Sequence, residues 1–361
     1  MLERLWKKIL RRRSLSFWAL PAVLLWLASL VYRMAAAITR RLDTGRVRAS
    51  VPIISVGNIT VGGSGKTTIV ELLARLLLDE GVRVGIVSSG YGRSHDESLA
   101  EPGYRIQNMD SRRTGDEVRH LADLLPEAYF AVDRSKSRAA LRLAETGEVD
   151  VVIVDDGFQH RRLERDLDIV TYDAAVENRH LKLFPLGILR EPATALARAD
   201  IVIITRANLA EDWDAMQERL ERFSPQAEVY RAQFVATELV GRDRRLPTKY
   251  LEDKSVLLFA GIGNFRPLVR QVTALCSDLD EAMELSDHQR YDQQLMEKIK
   301  ATADRHDSNV ILTTGKDWVK LGDFAFGREI YYLAQTIDLD PGEEKLIRDV
   351  MDRLGLTRQP R

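Results

Sequence analysis

Residues 51–68, VPIISVGNITVGGSGKTT, constrain this chain more than any other stretch, because they read as a buried strand running through a glycine-rich loop into a helix. Gly62, Gly63 and Gly65 lack side chains, so the backbone amides there can curl around phosphate oxygens. The positive end of the following helix favours the same anion. Lys66 adds a mobile positive charge, and Thr67 places a hydroxyl where a Mg²⁺ bridging the outer phosphates needs an oxygen ligand. The familiar form of this motif opens with Gly where this chain has Thr60, so the loop is a variant that runs Thr60, Val61, Gly62, Gly63, Ser64, Gly65, Lys66, Thr67. The plainer alternative is a flexible turn with an incidental lysine. The strand-loop-helix context favours a nucleoside triphosphate site, with ATP as the ligand.

With 361 residues, the chain is long enough for two cores. Its formal net charge of −1 gives no global field for nucleic acid, so no nucleic-acid partner is expected. The one cysteine, Cys276, has no partner for an internal disulfide, which suits a reducing compartment where ATP is present. The amino terminus differs from the rest. Basic residues from Arg4 to Arg13 precede an uncharged run over residues 14–32, and Arg33, Arg40 and Arg41 follow it. A helix over that run is about 28 Å long at about 1.5 Å per residue, at the short end of what crosses a bilayer. The expectation is a membrane-anchoring segment over residues 1–41, with spanning and lying in one leaflet both open. A secretory signal and a buried core helix are the competing readings.

From Val51 onward, short apolar runs alternate with helical patterns, the signature of a parallel sheet covered by helices on both faces. Strands are expected over residues 53–56, 84–88, 129–132, 151–154, 169–172 and 201–205, and helices after Gly65, Gly115, Ser135 and Glu211. A break at 223–225 separates this P-loop NTPase-like α/β domain, residues 42–225, from a smaller α/β lobe, residues 226–361, that faces it across a cleft. In the lobe, strands are expected at 229–235, 256–260, 310–313 and 330–333, and a last helix near 343–354. Ligands in such sheets sit at the carboxyl ends of strands. Tyr91-Gly92-Arg93, Asp133-Arg134 and Asp155-Asp156 all fall there.

The run 151–156, VVIVDD, is an apolar strand ending in two acids, where a carboxylate near nucleotide-bound Mg²⁺ is expected. Gly157-Phe158-Gln159-His160 then keeps polar groups clustered past the strand end. His160 by itself is as readily an exposed turn residue as a functional one.

Taken together, residues 57–68, the Ser89-Gly90-Tyr91-Gly92-Arg93 turn, Gly115-Asp116-Glu117 and the DDGFQH run at 155–160 resemble the tetraacyldisaccharide 4'-kinase (lipid A 4'-kinase) family. The similarity extends over nearly the whole chain, including the amino-terminal segment, residues 185–192 and Lys316-Asp317. The resemblance implies ATP-dependent phosphorylation of the 4'-hydroxyl of an acylated glucosamine disaccharide 1-phosphate lipid. It also implies Mg²⁺ as cofactor and a site at the cytoplasmic face of a Gram-negative inner membrane, with the bilayer as a partner. By the same resemblance Asp116 would accept the sugar-hydroxyl proton and His288 would pair with it from the second lobe. Asp155, Asp156, Gln159 and Glu191 would surround Mg²⁺ and the phosphates. Asn58, Arg93, Arg134 and Arg190 would contact substrate. For the arginines a solvated surface charge competes with that role, for Asp116 a helix cap, and for His288 an ordinary structural histidine. Thr68, Leu285-Ser286, Phe265, Gly315 and Trp318 depart from the family's commoner residues, but none removes a reactive group.

Other classes of function are a membrane-anchored ATPase switch or assembly protein, which needs no sugar-hydroxyl base, and a kinase or ligase for a soluble substrate.

Overall fold

Apolar strands that alternate with amphipathic helices leave a sheet with no wet face, and the computed structural model has that layering over the central strands of its first half. It describes residues 25–34, 38, 45–91, 93, 97–210, 212–287 and 289–357. In chain order the strands are β1 (Ile53–Asn58), β2 (Val84–Ser88), β3 (Leu99–Pro102), β4 (Tyr129–Val132), β5 (Val151–Asp155), β6 (Leu167–Asp173) and β7 (Ile201–Thr205). They continue with β8 (Glu228–Val240), β9 (Arg245–Pro247), β10 (Ser255–Ala260), β11 (Asp278–Glu284), β12 (Val310–Thr313) and β13 (Glu329–Asp340). The helices that matter below are α1 (Lys66–Asp79), α2 (Asp116–Leu124), α3 (Lys136–Glu145), α4 (Trp213–Phe223), α5 (Phe265–Thr273), α6 (Gln293–His306), α7 (Gly315–Trp318) and α8 (Glu343–Leu354).

All thirteen strands belong to one sheet, ordered β11-β10-β12-β13-β8-β7-β6-β1-β5-β2-β4-β3, with β9 on β8. Pairing is parallel except for β13 with β8, β3 with β4 and β8 with β9. The six strands expected before residue 225 all form, and each of the four expected helices begins within two residues of its marker.

Every residue of β1, β5 and β7 is buried, because side chains that alternate between faces meet helices on both. On one face Ile54, Ile153 and Ile169 pack with Leu73 of α1, Leu121 of α2 and Val350 of α8. On the other, Val152 and Val154 meet Ala140 and Leu143 of α3, while Val202 and Ile204 meet Leu220 of α4. Burying each such aliphatic side chain stabilises the fold by about 1.5–3 kcal/mol. In the second half, Val256 and Leu312 face Val272 of α5, and Leu257 and Ile311 face Ile299 of α6.

The division expected at 225/226 is not a gap in the sheet. The first residues of β8 pair in parallel with β7, from Ile201↔Glu228 to Thr205↔Ala232. From Arg231 to Val240 the same strand pairs antiparallel with β13, whose first residues pair with β12. A two-stranded ribbon therefore ties the halves together. The chain's last helix, α8, returns to the first half and buries Leu346, Ile347, Val350 and Met351 in its core.

Of the expected membrane segment, residues 1–41, residues 1–24, 35–37 and 39–41 lie outside the described residues. Among the described residues no helix is long and apolar enough to cross a membrane. Residues 25–34 are helical, and Trp26, Leu27, Leu30, Val31, Met34 and nearby Ile38 are exposed. The Tyr32 hydroxyl of this stretch donates to the Arg190 carbonyl at 3.0 Å, and its ring meets Phe184 edge-on at 5.8 Å.

Candidate active site

Helix α1 starts without a side-chain cap: its N-cap is Gly65 at φ 81°, a left-handed conformation that suits glycine. Helices α3, α4 and α6, by contrast, are capped by Ser135, Asp212 and Asp292. The first amides of α1 thus keep their hydrogen-bonding capacity for an anion. The loop rests on a polar layer. Asn58 Nδ2 donates to Ser64 Oγ at 2.8 Å and to Thr60 Oγ1 at 3.3 Å, and Ser64 Oγ lies 2.7 Å from Thr171 Oγ1. Thr205 Oγ1 donates to the Ser64 carbonyl at 3.0 Å, and Arg206, paired with Asp173, donates to the Gly63 carbonyl at 2.5 Å. Val61, Gly62 and Gly63 remain exposed at the tip. Asn58, expected at the substrate, is instead fully buried and braces the loop from below.

Beside the loop, residues 188–190 run along its entry: Val61 N donates to the Ile188 carbonyl and Arg190 N to the Ile59 carbonyl, both at 2.7 Å. That pairing brings the Arg190 guanidinium to Asp156, which it grips at 2.9 and 3.1 Å. Lys66 Nζ stands 3.5 Å from Asp156 Oδ1, and Lys136 Nζ donates to the Asp156 carbonyl at 2.8 Å. Burial opposes the Asp156 charge, yet Lys66, Arg190 and Lys136 outweigh it and hold this carboxyl well below the usual range. Asp156 sits at φ 51°, a turn that puts its side chain on a different course from that of its neighbour.

That neighbour, Asp155, is 5% exposed, and its Oδ1 has no hydrogen-bond partner. Burial and then the Glu117 charge push its pKa up to about 7, against the pull of Lys136. Gln159 Oε1 is a second buried oxygen without a partner, while its amide donates to the Asn58 carbonyl at 2.8 Å. Glu191 is differently placed. It is 5% exposed and bound by Arg161 at 3.0 Å and by Arg198 at 3.0 and 3.1 Å, so its oxygens are already engaged by cations. Among the described residues no three acids, histidines or cysteines gather as a metal cage. A Mg²⁺ held by one or two carboxylates and the nucleotide's phosphates needs none, and the hard oxygens of Asp155 and Thr67 suit that ion.

The acceptor-side candidate Asp116 is the first residue of α2, and the cap is Gly115 at φ 94°, so capping is not the role of Asp116. At the positive end of α2 both Asp116 and Glu117 are favourably placed. Their ion-pair partners among the described residues come from the second half. Lys320 Nζ lies 3.4 Å from Asp116, and Lys316 Nζ lies 3.1 Å from Glu117 and 2.9 Å from Asp287. Burial disfavours the Lys316 charge, but Glu117 and Asp287 overcome it and raise its pKa. His288, expected to pair with Asp116, lies outside the described residues.

Of the remaining candidates, Arg93 donates to the Glu97 carbonyl at 2.8 Å and the Val132 carbonyl at 3.3 Å, and Arg134 is exposed. Lys136 and Lys320 were missed in the sequence: each is defined by partners that only the tertiary fold brings near. The halves also meet directly. A Cβ on Gly263 would lie 2.7 Å from the Gly63 amide nitrogen, Phe234 of β8 covers Gly65, and Gly315 of α7 presses on the His120 ring of α2.

With this geometry in place, the family model described as Tetraacyldisaccharide-1-P 4'-kinase matches residues 21–354 of the chain. A tetraacyldisaccharide 4'-kinase of Geobacter metallireducens is 33% identical over 305 residues, covering 84% of this chain and 88% of that protein. One of Syntrophus aciditrophicus is 35% identical over 338 residues, covering 88% of each. The crystal structure of LpxK from Aquifex aeolicus in complex with ATP superposes with a TM-score of 0.73 at 28% identity, over 92% of this chain and 99% of that one.

Proposed function

The chain belongs to the tetraacyldisaccharide-1-P 4'-kinase family, and from that premise we infer that it is an ATP-dependent kinase of lipid A biosynthesis. It transfers the γ-phosphate to the 4'-hydroxyl of the acylated disaccharide 1-phosphate. The observation that carries this reading is the joining of an uncapped phosphate loop to Lys66, Asp156 and Arg190 past the carboxyl ends of the adjacent central strands β1 and β5.

In this reading the amides of residues 61–66 and the Lys66 ammonium hold the outer phosphates. Nucleotide entry exchanges the Lys66–Asp156 contact for a contact with phosphate. Asp155 and Thr67 would hold Mg²⁺, which, when bound with ATP, adds positive charge where the transferring group carries negative charge. Phosphoryl transfer asks the protein mainly for positioning and charge neutralisation. The sugar oxygen bonds to the γ-phosphorus, and the bond to the bridging oxygen breaks with its electron pair leaving on ADP. Asp116 takes the hydroxyl proton. Arg190 holds Asp156 in place while its carbonyl stays tied to Tyr32.

We read residues 42–225 as a P-loop NTPase-like kinase domain, residues 226–361 as the smaller lobe and residues 1–41 as a membrane anchor at the cytoplasmic face of a Gram-negative inner membrane. Three things support this placement: a substrate whose acyl chains keep it in the bilayer, the basic residues flanking the apolar run, and exposed Trp26, Leu30, Val31 and Met34.

The test is a kinase assay with purified full-length chain, ATP, Mg²⁺ and the disaccharide 1-phosphate lipid in mixed micelles. The lipid gains one phosphate. ATP binding and hydrolysis with no phosphate on the lipid would replace this reading with an ATPase switch.

A further inference from the structure

The seam between α2 and the residues after α7 contains a lysine that the proposed chemistry leaves unused. Lys320 has a 7% exposed side chain, and its ammonium has oxygens on three sides, two of them carboxylate oxygens at ion-pair distance. Asp317 Oδ1, 0% exposed, is 2.8 Å away; the Asp116 carboxylate is 3.4 Å away across the seam; and the Gln289 carbonyl accepts at 3.4 Å. The Tyr291 ring lies 4.9 Å from Nζ. Asp317 is itself held, accepting from the Gly261 amide and from Thr314 Oγ1 at 2.8 and 2.9 Å. An ammonium so buried is kept only where its partners are fixed, and removing one charge of such a group strands the other.

We propose that Lys320 is a positioning residue for Asp116: it reaches out of the second half, orients the Asp116 carboxylate toward the acceptor side and keeps it anionic until the hydroxyl proton arrives. The inference rests on the reading of Asp116 as proton acceptor. The Asp116 contact is made with a side chain of the other half, so the base takes up this arrangement only when the halves are apposed. Protonation of Asp116 removes one of the two carboxylate charges paired with Lys320, which loosens the seam after transfer. The charged and titratable groups facing this pair among the described residues are Asp317, Tyr291, Glu117 with its partner Lys316 one position along α2, and the buried His120 one turn further on, which lies within the fields of Asp317 and Glu117. Lys316 serves as a control from the same seam because its described carboxylate partners are Glu117 and Asp287.

The experiment compares Lys320→Met, Lys320→Arg, Lys316→Met and Asp116→Asn in full-length protein, reading kcat, KM for ATP and the pH profile of kcat/KM with the lipid substrate. Lys320→Met is expected to lower kcat about tenfold or more, with KM for ATP within about twofold. Its acid limb moves up by about one pH unit, because an opposite charge at this distance lowers a carboxyl pKa by about 1–3. Lys320→Arg restores the limb, and Lys316→Met leaves it in place. If Lys320→Met does not fold, Lys320→Gln keeps a donor to Asp317 and is read the same way. An unmoved limb in the neutral variant, or an equal shift in Lys316→Met, overturns the role of Lys320. Asp116→Asn that keeps its kcat overturns the reading of Asp116 instead, and the two failures are told apart by that variant alone.

Discussion

The phosphate-loop cluster and the α2 seam are both knots of opposite charge, yet they are built differently. Lys66, Lys136, Asp155, Asp156 and Arg190 all come from the first half and sit at neighbouring strand ends of one parallel sheet. Asp116 and Glu117 come from the first half too, but their described ion-pair partners, Lys316 and Lys320, come from the second. The charged groups of the nucleotide end therefore belong to one half, although Phe234 and Gly263 of the second half pack on the loop, whereas the charge pairs of the acceptor end span both halves. If Asp116 is the base proposed above, such a division would let ATP bind before the acceptor end is complete.

The largest effect that would break this contrast is expected at Lys66. Lys66→Met should cut kcat/KM by about 10³-fold, roughly 4 kcal/mol of transition-state stabilisation, while a thermal melt shows the fold intact. Retained activity would mean that the loop does not hold the reacting phosphates. A smaller effect sharpens the seam side. Gly315→Ala places a methyl against His120, and overpacking of this kind costs about 1–3 kcal/mol. Calorimetry should show the lower stability, with the ATP dissociation constant unchanged within about twofold; weaker ATP binding would show that the two ends are not independent.

The smallest effect concerns Asp155. With its folded pKa raised to about 7 from 3.8, any stability linked to this group is fully present below the unfolded value and is lost as pH rises through 7. Asp155→Asn should therefore melt a few degrees higher than the parent at pH 8, with the advantage vanishing near pH 4. A pH-independent difference in melting temperature would remove burial of this charge as the cause.

Much of the first half was legible because its information is local. The run VVIVDD gives strand β5 and its acidic end directly, and Gly65 followed by Lys66 gives both the loop and the helix start. Strand β11 was not legible: DLDEAME carries four acids in seven residues, and its strand state comes from parallel pairing with β10 at the sheet edge. The polar continuations of β8 and β13 were likewise read short, because each takes its register from the other. In the site, Lys66 and Asp155 were readable from motif position. The burial of Asn58, the two arginines on Glu191 and the Lys320–Asp116 pair were not, since each depends on which side chains the folded sheet stacks together.

The antiparallel ladder between β8 and β13 has a mechanical meaning. Domains joined by a slack tether swing freely, but these halves are joined by a hydrogen-bonded strip with only one register shift, between Ala334 and Gln335. Any separation of the halves must therefore bend this hydrogen-bonded strip, which resists with a restoring force toward the apposed arrangement. In the proposed kinase, the room open to a lipid headgroup would be set by the bending stiffness of that strip.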